Sequence, residues 1–183
     1  MHKAEFLNRV VGRRRMLALG ALGLGAAAAT VPRAAAAPDI PPQSYDAMLL
    51  MCIDPRFVNP TNEYMLGRGL VNRYSQFALA GAGAGAVSQH WEAWHNTFWD
   101  NLAASIELHS INGVIVVNHR DCGAVQIAYG PDAISTPERE TATHERILGT
   151  FREETLRRHP GIDVETWLMA LDGSVEQVGP RSL

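Results

Sequence analysis

Of the sixteen basic residues only one is a lysine, Lys3, and it lies in a segment that reads as a removable export signal. Arg13 to Arg15 form a basic cluster, a Gly/Ala/Leu run of about fifteen residues follows from Met16, and an A-x-A cleavage site stands near Ala34 to Ala36. That run is shorter than the ~20 apolar residues a membrane span needs, and glycines interrupt it, so no stable membrane anchor is expected once the signal is removed. The adjacent arginines followed by Met16-Leu17 suit the twin-arginine route, which carries proteins already folded. The expected organisation is an export signal over residues 1–36 and one mature domain over 37–183, working in the periplasm or otherwise outside the cytoplasm.

What the mature part lacks bounds its chemistry. Without lysine it can form neither a Schiff base nor a P-loop. Ten basic residues against eighteen acidic ones give it a net charge of −8, which argues against nucleic acid as a partner. Cysteine is scarce as well: Cys52 and Cys122 are the only two. In an oxidising compartment two cysteines pair by default, and a metal holding both thiolates is the alternative; their surroundings decide between them.

The remaining pattern alternates strands and helices. Ala47 to Ile53 (AMLLMCI) and Gly113 to Asn118 (GVIVVN) are continuous apolar runs of strand length, as expected of strands covered on both faces. Tyr74 to Ala80 reads as a third strand. Asn59 to Gly67 has a capping-type start, with Asn59 or Thr61 ahead of Glu63, and predicts a short helix. Trp91, Trp94, Phe98, Leu102, Ser105/Ile106 and His109 recur at helical spacing, with a break expected near Asn101. Gly123 to Tyr129 and the charged Glu138 to His159 predict two more helices, and "VETWLMALDGSVEQV" predicts a strand, an Asp172-Gly173 turn and a short second strand. The expected fold class is α/β, a mainly parallel sheet flanked by helices.

Two clusters follow buried strands: Cys52-Ile53-Asp54-Pro55-Arg56 and His119-Arg120-Asp121-Cys122-Gly123. Ligands of an open parallel sheet bind outside the carboxyl ends of its strands, so both fall where a site is expected. If the strands are neighbours, two thiolates and an imidazole converge. Cys2His is a zinc-binding set, and three protein ligands leave a fourth position open, the catalytic arrangement. Asp54 and Arg56, two apart on an extended segment, can face the same way as Cys52. A carboxylate there can take a proton from water activated by the metal, and the arginine can clamp the carboxylate bidentately.

"CIDPR" and "HRDCGAV", with "FALAGAG" between them and "SIELHSINGVIVVNHRDCGAV" as a helix, strand and ligand segment, resemble the β-class carbonic anhydrases, whose signature is Cys-x-Asp-x-Arg followed by His-x-x-Cys. The likeness runs from about Ala47 to Tyr129. It implies Zn2+ held by Cys52, His119 and Cys122, with Asp54 and Arg56 as the catalytic pair, and reversible hydration of carbon dioxide to bicarbonate, rising in rate toward alkaline pH. Some relatives act instead on carbon disulfide or carbonyl sulfide, and a non-catalytic zinc or redox protein is a third reading. Pro55 departs from the family, which usually has Ser there; proline removes an N–H and stiffens the loop. The N-terminal helical arm that wraps a partner subunit is absent from the pattern, and residues 88–99 look like extra material. A homodimer or higher homo-oligomer is expected from the apolar surface of so short a chain.

"GAGAGA", Gly81 to Ala86, formally matches a dinucleotide fingerprint, but the next strand does not end in the acid that fingerprint requires. Tight helix–strand packing or a backbone wall of the metal pocket fits better. His90, His95 and His109 read as surface or satisfied core groups, with His90 or His95 the better placed to relay protons. Trp91, Trp94, Phe98 and Trp99 read as core or subunit interface, and the charges of residues 138–159 as a solvated helix face.

Overall fold

The apolar run after Asp46 becomes β1, Ala47–Met51, with all five residues buried. A computed structural model describes residues 45–179; the expected signal, with the rest of the chain up to Ser44, lies outside the described residues. In chain order there follow a 3-10 turn Pro55–Phe57, α1 Val58–Gly67, β2 Tyr74–Ala78, α2 Gly83–Val87, a 3-10 turn Gln89–Trp91 and α3 Glu92–His109. Then come β3 Gly113–His119, α4 Gly123–Tyr129, a 3-10 turn Pro131–Ile134, α5 Pro137–Arg158, β4 Asp163–Met169 and β5 Val175–Gln177. The strands form one sheet in the order β2-β1-β3-β4-β5. Among the described residues only the β4–β5 hairpin is antiparallel. Parallel neighbours need long crossovers, which the helices supply.

Both faces of the central strands are covered, which is why β1 and β3 show no polar alternation. Met48, Leu50, Val114 and Val116 pack in one cluster with Phe98, Leu102, Leu148 and Phe151 from α3 and α5. Leu49, Met51, Ile115 and Val117 face the other way, onto Phe57, Met65 of α1 and Met169. Fully burying a side chain such as Phe98 or Phe151 contributes roughly 2–3 kcal/mol. β2, at the sheet edge, is only half-buried. Among the described residues no helix is long and apolar enough to cross a membrane.

Two local expectations change. α3 runs unbroken for 18 residues; Asn101 stays helical and its amide donates to the Thr97 carbonyl at 2.7 Å. One asparagine costs a helix only about 0.5 kcal/mol, less than the burial of Phe98, Trp99 and Leu102 around it returns. The capping-type start at Asn59 or Thr61 is not used either. Thr61 is buried inside α1, which has no side-chain cap, and the cap falls earlier, where Asp54 accepts from the Arg56 backbone N–H at the head of the 3-10 turn.

Candidate metal centre

β1 and β3 are neighbours, with Met51 paired to Val117, so the chain leaves both strands on the same edge and at the same level. Cys52 follows the last residue of β1, His119 ends β3, and Cys122 stands at the residue before α4. The Sγ atoms of Cys52 and Cys122 and a ring nitrogen of His119 all lie within 4.8 Å of one another, and all three residues are buried. Both cysteines are free thiols. The convergence expected from the two motifs is present.

His119 is oriented from two sides. Its Nδ1–H donates to the Arg120 carbonyl at 2.8 Å, and the Phe57 ring stacks on it with centroids 4.1 Å apart. That leaves Nε2 with the lone pair, and Nε2 is buried with no hydrogen-bond partner. A buried nitrogen without a partner is costly unless something else satisfies it. An imidazole fixed in this tautomer beside two thiols suits a divalent metal ion, and the donor set fits zinc.

The sulfurs are electrostatically coupled. Chiefly the Cys122 thiol, and after it His119, draw the Cys52 thiol far below its usual range against the effect of burial. Cys52 and burial together push Cys122 up. A divalent cation held by both sulfurs would favour the thiolate form of each. Gly81 N–H adds a donor to Cys52 Sγ at 3.2 Å. Burial disfavours charge on His119, but the Cys52 sulfur, the Arg120 carbonyl and Asp54 outweigh it and raise its pKa.

Asp54 and Arg56 form the expected pair beside this triangle. Asp54 Oδ1 accepts from the Arg56 backbone N–H at 3.0 Å and from Nε at 3.1 Å, while Oδ2 accepts from Nη2 at 2.7 Å. Those bonds hold the Asp54 carboxyl down at about 2. Its Oδ2 lies 3.9 Å from His119 Nε2. Pro55 does not disturb the pair: it opens the 3-10 turn, a position where no N–H is required.

The Gly/Ala segment is a wall of the centre. A Cβ on Gly85 would come within 2.5 Å of the Ala80 carbonyl, so the glycine permits a close turn-to-helix approach, while Gly81 faces the Cys52 sulfur. The histidines on and beside the long helix are engaged elsewhere. His95 Nε2 pairs with the Ser88 carbonyl and His109 Nδ1 with Ser75 Oγ, and His90 packs on Trp91. Phe98 and Trp99 are core; Trp91 and Trp94 are half-buried and stacked at 4.0 Å.

Asp121, already inside the second motif, and two residues of α5 that the sequence pattern does not single out surround the site. Arg56 Nη1 donates to Asp121 Oδ2 at 2.8 Å. Glu140 Oε1 accepts the Asp121 backbone N–H at 2.5 Å, and His144 Nδ1 pairs with the Asn118 amide at 3.0 Å. The last two sit on the inward face of α5, continuous with Ile147, Leu148 and Phe151. That continuity is the signal that could reveal them, since polar residues on an apolar stripe need partners.

A family model described as "Putative carbonic anhydrase" matches residues 43–145, a span that includes both motif clusters. An uncharacterized protein of Rickettsia conorii is 34% identical over 131 residues, covering 72% of this chain and 70% of its own. Another, of Rickettsia bellii, is 33% identical over 134 residues, covering 73% and 82%. Among solved structures, the Coccomyxa β-carbonic anhydrase in complex with acetazolamide superposes with a TM-score of 0.51 at 13% identity, over 74% of this chain and 72% of that one. The mainly parallel sheet flanked by helices is thus shared with a β-carbonic anhydrase. The chain belongs to the family described as putative carbonic anhydrase, and its fold is that of a β-carbonic anhydrase.

Proposed function

We propose that the protein is a zinc enzyme that reversibly hydrates carbon dioxide to bicarbonate. The observation that carries this reading is the unpartnered, buried Nε2 of His119 facing two thiols, with an arginine-clamped carboxylate beside it. Cys52, His119 and Cys122 would hold the ion. Zinc in such a site supplies the Lewis acidity that makes water a nucleophile near neutral pH.

The rest falls to the chain's own groups. Asp54, ionised at any pH well above 2, offers an oxygen to accept a proton and orient an attacking water. Arg56 fixes that carboxylate through Nε and Nη2, so little freedom remains to be lost on binding. Ile53, between Cys52 and Asp54, is 61% exposed, and Val58 is exposed nearby. Apolar surface at that place suits a small uncharged substrate, and it also supports a homo-oligomer in which a second copy covers part of it.

The test is stopped-flow hydration of carbon dioxide together with zinc analysis, on the mature protein and on Cys122→Ser. One zinc per chain and hydration well above the buffer rate are expected, with both lost in the variant. Zinc uptake with hydration no faster than buffer would overturn the reading. N-terminal sequencing of exported protein checks the expected cleavage near Ala36, and light scattering checks the oligomer.

A further inference from the structure

α5 carries two buried polar residues one turn apart, Glu140 and His144, both inward-facing. Each is tied to a different segment bearing a ligand candidate. Glu140 Oε1 accepts the backbone N–H of Asp121, and its Oε2 accepts from Arg120 Nη1 at 3.2 Å. Asp121 has a φ of +56°, a left-handed conformation unusual outside glycine, and the next residue is Cys122. A side chain that captures the N–H of a residue in that conformation fixes where Cys122 begins α4.

His144 acts at a longer reach. Asn118 Oδ1 is taken by the Gly83 N–H at 3.0 Å, so its amide nitrogen faces His144 Nδ1. An amide nitrogen only donates, and Nδ1 is therefore the acceptor, with the ring proton on Nε2. Gly83 closes a turn in which Gly81 has φ +76° and Ala82 φ +48°. Ala82 in that region is strained and persists only because its surroundings impose it. Two residues before Gly83, the Gly81 N–H meets Cys52 Sγ. From His144 the contacts run through Asn118 and Gly83 to the donor on Cys52.

We propose that Glu140 and His144 are positioning residues of the metal centre, Glu140 setting Cys122 through Asp121 and His144 setting the Gly81 donor on Cys52 through Asn118. This rests on the metal reading above. The two residues touch neither substrate nor ion; they fix the sulfur positions and the hydrogen bond that tempers the Cys52 thiolate.

Two readouts separate this from a merely structural role. With cobalt(II) in place of zinc, His144→Leu should move the sulfur-to-cobalt charge-transfer band to longer wavelength, because a sulfur that loses its donor is easier to oxidise. Cobalt affinity should fall about tenfold, as it should in Glu140→Ala, and His144→Gln, whose carbonyl can accept from Asn118, should restore the band. In the metal-free protein, His144→Leu should speed amide exchange at Gly81 and Gly83 at least tenfold while β3 amides hold. Folded variants with unchanged band, affinity and exchange overturn the proposal. If His144→Leu does not fold, Glu140→Ala and the unaltered protein decide: exchange at Gly81 and Gly83 as fast as in an open loop refutes the link. An unaltered protein that binds no cobalt sinks the metal reading instead, and the exchange measurement still decides the positioning.

Discussion

Arg56 and Asp121, 65 residues apart in sequence, are joined by a 2.8 Å bond from Nη1 to Oδ2, which ties the first motif loop directly to the second. Nη2 reaches the Asp121 carbonyl as well, at 3.1 Å, while Nε and Nη2 hold Asp54. The bridge is open to solvent, with Arg56 49% and Asp121 62% exposed in their side chains. Its contribution to folding should be about 0–1 kcal/mol. Its consequence is the aim of the guanidinium.

Asp121→Asn should therefore melt within a few degrees of the unaltered protein and keep its zinc, yet lose roughly two- to fivefold in kcat/KM, equivalent to about 1 kcal/mol or less. Arg56→Lys, whose single ammonium cannot grip both carboxylates, should lose tenfold or more at unchanged zinc content. Stopped-flow hydration alongside metal analysis reads both. Equal losses of zinc and activity would place Arg56 and Asp121 in holding the metal rather than in aiming Asp54.

A second expectation concerns acid. Burial, then the charges of His119 and Arg120, hold His144 down to about 3, from an ordinary 6.5. The folded protein keeps this ring neutral, whereas the unfolded chain takes up a proton as pH falls below 6.5. Stability from this group is complete above 6.5 and lost on the way down to about 3, by roughly 3 kcal/mol between pH 7 and pH 4. Asp54, held near 2 by Arg56 from an ordinary 3.8, loses its contribution only below that window. Urea midpoints measured across pH 4–7 should fall steeply in the unaltered protein and more gently in His144→Gln; parallel slopes would remove His144 as the cause.

The glycines supply a third. Gly85→Ala places a methyl 2.5 Å from the Ala80 carbonyl and 2.7 Å from Leu79 Cγ, an overpacking that should cost roughly 2–3 kcal/mol. Gly149, inside α5, has open space for 4 Å around the point a methyl would occupy, and Gly149→Ala should instead stabilise by about 0.5–1 kcal/mol. Urea denaturation of the two variants gives the contrast, and a neutral Gly85→Ala would mean that the turn can relax.

The gathering of Cys52, His119 and Cys122 and the central sheet were readable from sequence because each is a local pattern. AMLLMCI and GVIVVN are too apolar for anything but covered strands, and the thiols and imidazole stand immediately after them. The hairpin at Asp172-Gly173 was readable for the same reason, and Gly173 has φ +85°. The roles of Glu140 and His144 were not, since each depends on which face of α5 turns inward. α5 has a strongly polar composition, and its charges suggest a solvated face; only packing shows that Glu140 is 8% exposed and His144 fully buried. Asn101 misled in the opposite sense. Its local preference for breaking a helix is small, and the side chain satisfies it by bonding to Thr97 without leaving the helix.

The pairing of Met51 with Val117 has a further consequence. Side chains alternate across a strand, so sliding β1 past β3 by a single position would carry Cys52 to the opposite side of the sheet from its partners. A molecule able to capture a divalent ion is then one whose central ladder has zipped in the right frame. Metal capture becomes a gauge of correct assembly, and a misaligned chain would reveal itself by its failure to hold the ion.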